Sequence, residues 1–306
     1  MKLVSYNIQY GFGSDGRYDL TRAARLIDGA DIIALQEVER HWLRSNEDDQ
    51  PEILSRLLPG YYWVYGPAYD MDASEQRDGR VFNRRRQFGT MLLSRLPIAW
   101  SRLHALPMRR TVRPLNTRNA ALECMIRTPA GPVRVLSLHL AHVAAEERLE
   151  QIDYLLGEHR RAHADGGPWS GIDDEPARNW SNGEGEPESP LAAIWMGDFN
   201  SEPGSAEYRR IVGDIPYHPG AAYADGFVDA AAVAAEPASY HTHVKTIAGE
   251  VRRRRLDHCF VGGLLSDRVR SVHADIGEVA SDHFPVRIDI DLETPFAAGT
   301  QGRAGR

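Results

Sequence analysis

The feature that most constrains the fold of this chain is a series of nine short apolar runs, each ended by Gly, Pro, Asn, Asp or another polar residue. They read KLVSY, DIIAL, YYWVYG, TMLLS, AALECMI, VRVLSL, AAIWM, LDHCFV and VRIDIDL. Apolar runs this short between turn formers predict strands. Helical spacing of apolar residues predicts helices over Leu20 to Ile27, Pro51 to Leu58, Ala144 to His159 and Ser205 to Val212. The third is expected to be the longest and most amphipathic. Strands outnumber helices and both are spread along the chain, which predicts a layered α/β or α+β fold with two sheets packed together. No repeat of 20 to 50 residues marks a solenoid or propeller.

Composition narrows the class further. Hydrophobic residues make up 42% and charged residues 26% of 306 residues, an ordinary globular balance that excludes collagen, disorder and a stapled miniprotein. The two cysteines, Cys124 and Cys259, form no C-x-x-C pair, so a disulfide framework and a cysteine zinc site are both disfavoured. No apolar run reaches the roughly 18 residues of a membrane span, and the start MKLVSYNIQYG turns polar too soon for a secretory core. A cytoplasmic protein is expected. Residues 165–190 hold five Gly and four Pro and break every periodic pattern, so they read as a flexible insertion. Chemical motifs lie on both sides of it. The expected organisation is therefore one domain over 1–291 and a loose tail over 292–306.

The net charge of −7 hides an asymmetry. Residues 165–190 carry seven acids and one arginine, whereas residues 77–118 carry eleven arginines and one acid. The basic segment either attracts a phosphate-bearing ligand or is solvated surface, since Lys2 and Lys245 are the sole lysines of an arginine-rich chain.

Polar residues able to bind metal or move protons stand at the ends of the apolar runs. Asn7 follows KLVSY, Glu37 follows DIIALQ, His139 follows VRVLSL, and Asp198 and Asn200 follow AAIWMG. Asp257 sits in RRRRLDHCFV, and Asp282 and His283 precede FPVRIDID. Each alone has a plain structural reading. G-D-F-N suits an Asx turn, S-D-H-F-P a turn with a surface histidine, and Asp257 a pairing with arginines 252 to 255. Together, at strand ends that converge on one sheet edge, they predict a single site.

Taken in order, N-I-Q-Y-G, Q-E, S-L-H-L, G-D-F-N, R-L-D-H and S-D-H-F-P over about residues 1–290 resemble the motifs of the endonuclease/exonuclease/phosphatase superfamily. The resemblance implies a four-layered α/β/β/α sandwich of two mixed sheets and a phosphoester hydrolase using Mg²⁺, with Mn²⁺ as an alternative. It implies that Glu37 is the main metal ligand, with Asn7 and Asp282 beside it. It makes Asp198 the group that orients or deprotonates the attacking water. Asn200 is implied to hold that water, His283 to act at the scissile phosphate with Asp257 orienting it, and His139 to donate to a phosphate oxygen or the leaving group. Gln9 is expected at the metal or the phosphate. Arginines 84 to 86, 109 and 110, with Arg113 and Arg118, are expected to bind further phosphates through their guanidinium forks.

Hard oxygen ligands, two histidines and amide donors suit phosphoryl transfer, which depends on positioning and charge neutralisation. S-L-H-L and Gln9 depart from the pattern of the abasic-site nucleases and resemble the histidine-bearing branch. A small or lipid-linked phosphodiester is the expected substrate; a nucleic acid and a catalytically silent phosphate-binding module are the alternatives.

Overall fold

The computed structural model describes residues 1–214, 218, 220–236, 239–247 and 249–296. The chain begins with β1 (Lys2–Asn7), passes through α1 (Leu20–Ile27) to β2 (Ile32–Arg40), and continues through α2 (Gln50–Leu57) to β3 (Tyr62–Asp72). A small hairpin of β4 (Glu75–Arg77) and β5 (Arg80–Phe82) leads into β6 (Arg85–Ser94). The chain then builds β7 (Ile98–Ala105), β8 (Ala120–Thr128), β9 (Gly131–His139), α3 (Ala145–Asp165), β10 (Ala193–Asp198), α4 (Ala206–Val212), β11 (Phe227–Asp229) and α5 (Ala230–Val233). A second hairpin, β12 (His243–Ile247) with β13 (Glu250–Arg254), precedes β14 (Asp257–Gly262), β15 (Val269–Ala274) and β16 (Val286–Ile290).

Two six-stranded mixed sheets result, ordered β15-β16-β1-β2-β6-β3 and β11-β14-β10-β9-β8-β7. Period-two alternation sends side chains of one strand into two different cores. Leu3, Ile32, Ala34 and Leu92 of the first sheet meet Val133, Val135, Ile194, Met196, Cys259 and Val261 of the second in the central core. Their neighbours Val4, Ile33, Leu35, Met91 and Leu93 face α1 and α2. On the far side, Leu136, Leu138, Trp195 and Phe260 face Ile152 and Leu155 of α3 and Ile211 of α4. Three cores between four layers make the α/β/β/α sandwich, and the apolar runs are unbroken because each inner strand is buried on both faces.

The helices start where the sequence can cap them. Asp19 accepts from the Thr21 N–H, Asp49 from Glu52 and Ser205 from Tyr208, each satisfying an amide the first turn leaves open. The expectation for α3 needs correcting. It is the longest helix, but its inward face carries Glu147, Gln151 and His159, all buried, whereas α1 buries only Leu20, Ala23, Ala24 and Ile27. α1 is therefore the more cleanly two-faced. β7 carried no continuous apolar run because it is a sheet edge with alternating exposure. Part of the segment expected to be a tail packs on the fold. Leu292 is buried and the Phe296 N–H donates to Ala130 O (3.0 Å), while residues 297–306 lie outside the described residues.

Candidate active site

Strand direction gathers the motif residues at one edge. β1 runs parallel to β2, and β9 parallel to β10, so Asn7, Glu37, His139 and Asp198 all stand at or near carboxyl ends. β14 runs antiparallel to β10 in a register that sets Asp257 opposite Asp198. A clip closes the set: Ser281 Oγ donates to Asn7 O (2.7 Å) and accepts from the His283 N–H (3.2 Å).

Local backbone features aim these side chains. The β2–β6 register shifts between Leu35 and Val38, and within that bulge Glu37 takes φ 58°. A bulge re-aims a side chain, and a non-glycine residue at positive φ stores strain of about 1–3 kcal/mol that the surrounding fold must offset. In G-D-F-N, Gly197 is dictated by packing, since a Cβ there would fall 1.9 Å from Leu138 O of β9. Asn200, at φ 49°, turns its N–H onto Asp198 Oδ1 (2.8 Å) while its side-chain amide donates to Leu140 O (3.0 Å).

The resulting cluster is dense in charge. Asn7 Nδ2 bridges Glu37 Oε1 and Asp198 Oδ2, 3.1 Å from each. Asp198 Oδ2 lies 3.7 Å from Nε2 of both His139 and His283, and His139 Nε2 lies 3.9 Å from Glu37 Oε1. The Nδ1–H of His283 donates to Asp257 Oδ2 at 2.7 Å. Asp257 therefore pairs with His283 and not with arginines 252 to 255; Arg255 instead binds Asp229. Burial alone would depress His283, yet the carboxylates of Asp257 and Asp198 outweigh it and push its pKa up to about 10, so the imidazole is cationic at neutral pH. Burial opposes ionisation of Asp198, but His283, His139 and the amides of Asn200 and Asn7 hold it below the usual carboxylate range. Burial raises Asp257.

Not every expected residue takes its expected position. The Asn7 side-chain oxygen accepts from the Gln9 N–H (3.0 Å), while its nitrogen braces two carboxylates. Gln9 itself opens a short turn at φ 45°. Arg118 borders a small hollow with Phe88, Asn119 and His139. Arg113 sits on an exposed loop with no hydrogen bond or ion pair to a site residue among the described residues. Part of the basic segment is paired with acids: Arg84 with Glu47 and Glu75, Arg85 with Asp70 and Asp72, Arg109 with Glu150. Two neighbours went unread in the sequence. Ser281 had a faint signal, a turn-forming hydroxyl two residues before His283. His243 had none, yet its ring centroid lies 5.0 Å from that of His283. A cavity of about 600 Å³ lies elsewhere, against the end of α3 and residues 186–191, and its charged groups Arg160, His163, Glu186 and Asp225 are exposed.

A divalent cation fits this donor set. Glu37, Asp198, Asp257 and Asp282 crowd one place, and among the described residues none of them pairs with Lys or Arg. Asp257 Oδ1 is buried without a hydrogen-bond partner, and Asp282 groups with His243 and His283 within 4.8 Å. Excess buried carboxylate with oxygen donors matches a hard dication.

The model of the endonuclease/exonuclease/phosphatase family matches residues 4–283. The chain belongs to that family. As a member of the endonuclease/exonuclease/phosphatase family it is a hydrolase of phosphoric esters, a class generally dependent on a divalent metal. No curated protein matches the sequence significantly. Among solved structures, the family member from Beutenbergia cavernae is 20% identical with a TM-score of 0.63, covering 94% of this chain and 70% of its own. D. rerio TDP2 complexed with a single-strand DNA product is 17% identical with a TM-score of 0.58, covering 94% and 97%. The mannosyl-6-phosphatase from Bacteroides thetaiotaomicron is 18% identical with a TM-score of 0.58, covering 95% and 99%. These likenesses establish the shared fold. Among the described residues, no helix is long and apolar enough to cross a membrane.

Proposed function

We propose that this protein is a Mg²⁺-dependent phosphodiesterase that cleaves a small or lipid-linked phosphoester by in-line attack of water. The observation that carries this reading is the convergence of two imidazole Nε2 atoms, of His139 and His283, each 3.7 Å from one carboxylate oxygen of Asp198. A bound phosphoryl group between those imidazoles would have donors for its oxygens and a base beside the attacking water. Asp198, held ionised, takes the proton; Asn200 fixes the carboxylate through its N–H. His283, cationic and oriented by Asp257, stabilises the charge that develops on the phosphoryl oxygens. His139 donates to a phosphoryl or leaving oxygen. Glu37 and Asp282 would hold the metal, which when bound neutralises charge and acidifies the attacking water.

A nuclease is the second reading, favoured by the fold shared with a protein whose structure holds a single-strand DNA product. A silent binding module is disfavoured because each motif position keeps a residue able to act. Two unpaired, buried cysteines support a reducing, cytoplasmic setting. The test is hydrolysis of bis(p-nitrophenyl) phosphate and of p-nitrophenyl phosphate, with Mg²⁺ and then with EDTA. The reading expects Mg²⁺-dependent turnover of the diester above that of the monoester. Absence of metal-dependent turnover on these, and on a panel of nucleotides, oligonucleotides, sphingomyelin and inositol phosphates, would overturn it.

A further inference from the structure

The β12–β13 hairpin carries exposed cations beside the active site. Its register sets His243 opposite Arg254 and Lys245 opposite Arg252. Cross-strand partners share a face with residues two positions on, so these four side chains form one ladder. The ladder is anchored at the active site, because His243 bridges to the His283 backbone and its ring stands 5.0 Å from that of His283. One step along, about 7 Å at the usual strand rise, come Lys245 and Arg252.

Among the described residues this pair is only weakly neutralised. Both are exposed; Arg252 meets one acid, Glu250, at 4.0 Å and itself 77% exposed, and Lys245 has no ion pair among the described residues. The Arg254 Nε is buried without a hydrogen-bond partner. Like charges directly opposite across a hairpin are destabilising. A lone edge lysine is explained by resistance to aggregation. Two facing cations and a third with a buried, unsatisfied donor are not; they match an anion.

We propose that Lys245, Arg252 and Arg254 bind a second phosphate of the substrate, about 7–10 Å from the scissile one, given the strand rise. This deepens the phosphoesterase reading and rests on it. The second phosphate is either that of a bisphosphorylated small molecule or the next phosphodiester of a single-stranded nucleic acid, and the substrates below separate the two.

The test compares wild type with the double variant Lys245→Glu/Arg252→Glu, its folding checked by Tm. Thymidine 5′-(p-nitrophenyl phosphate) carries one phosphate, and its 3′-phosphorylated analogue carries two. In low salt, the variant should raise KM about tenfold or more for the two-phosphate compound. It should leave kcat, and both constants for the one-phosphate compound, unchanged. The difference should shrink in 0.5 M NaCl as screening removes it. An effect on an octathymidylate but not on the small bisphosphate assigns the arm to a nucleic-acid strand; an effect on both assigns it to any second phosphate. An equal KM change for the one- and two-phosphate compounds, or no change with either these compounds or the octathymidylate, overturns the proposal. Binding of fluorescein-labelled octathymidylate in EDTA, read by anisotropy, keeps this result separate from catalysis. Weakened binding by the variant alongside an inactive wild type would sink the hydrolase reading and leave the arm standing.

Discussion

Two buried charge clusters draw on the second sheet and are built to opposite ends. In the first, Glu123 of β8 accepts from His104 Nε2 (2.8 Å) and from Arg134 Nη1 (2.6 Å), while Arg134 also donates to Pro190 O and meets His159 Nδ1. Burial works against the Glu123 charge, but its cationic partners win and hold the carboxyl near 2. Charge is cancelled within the protein. In the second cluster, Asp198, Asp257, Glu37 and Asp282 share one buried imidazolium, and Asp257 Oδ1 has no partner. Both clusters bear the cost of desolvation; the first recovers it from its own side chains, and the second is left needing a cation. The contrast separates a structural ion network from a site.

The largest expected break in this contrast is Glu123→Gln, which strands Arg134 as an unpaired buried charge. Stability should fall by about 3–5 kcal/mol in urea unfolding, with kcat of the surviving folded fraction unchanged. The same network sets an acid limit. His159, depressed from 6.5 to about 3 mainly by burial, binds more protons unfolded than folded as pH falls through that range, and Glu123, held near 2 against an ordinary 4.5, does so at the lower pH. Stability should thus be fully present above about pH 6.5 and decline steadily below it. A urea midpoint that stays flat from pH 7 to pH 4 would contradict that assignment.

Next in size, His283→Ala and Asp198→Asn should each cut Mg²⁺-dependent turnover by about 10²-fold or more, the scale of one lost acid–base or electrostatic group. Turnover near wild type in both would remove the catalytic assignment. Asp198→Asn should also lower the melting temperature of the metal-free protein, but by less than Glu123→Gln, since it removes the charge that His283 and His139 offset while leaving no buried arginine unpaired. A loss comparable to that of Glu123→Gln would erase the distinction between the clusters. The smallest effect is that of the ion itself. Saturating Mg²⁺ should raise thermal stability, by about 2.7 kcal/mol at a hundred times its Kd, and Glu37→Gln should abolish most of that gain.

Much of the layering was legible from the apolar runs, because a strand buried on both faces leaves a continuous signature in sequence. The edge strand β7 and the two hairpins were not, since one exposed face breaks the run. The site residues were legible as an ordered set of motifs at strand ends. Their mutual distances were not, because Asn7 and Asp198 are 191 residues apart and only sheet register brings Nδ2 to 3.1 Å from Oδ2. How much of the arginine-rich segment is free was not legible for a related reason: a basic run in sequence does not reveal the acids folded against it, such as Asp70 for Arg85 or Glu150 for Arg109.

What the amino-acid sequence determined by itself is the set of local choices: which runs become strands, where Asp19, Asp49 and Ser205 start helices, and which residues capable of chemistry follow each strand. These depend on neighbours a few positions away. Tertiary structure alone decided which charges are cancelled and which are left over. That balance is a sum over partners distant in the chain, and burial sets how strongly each one counts.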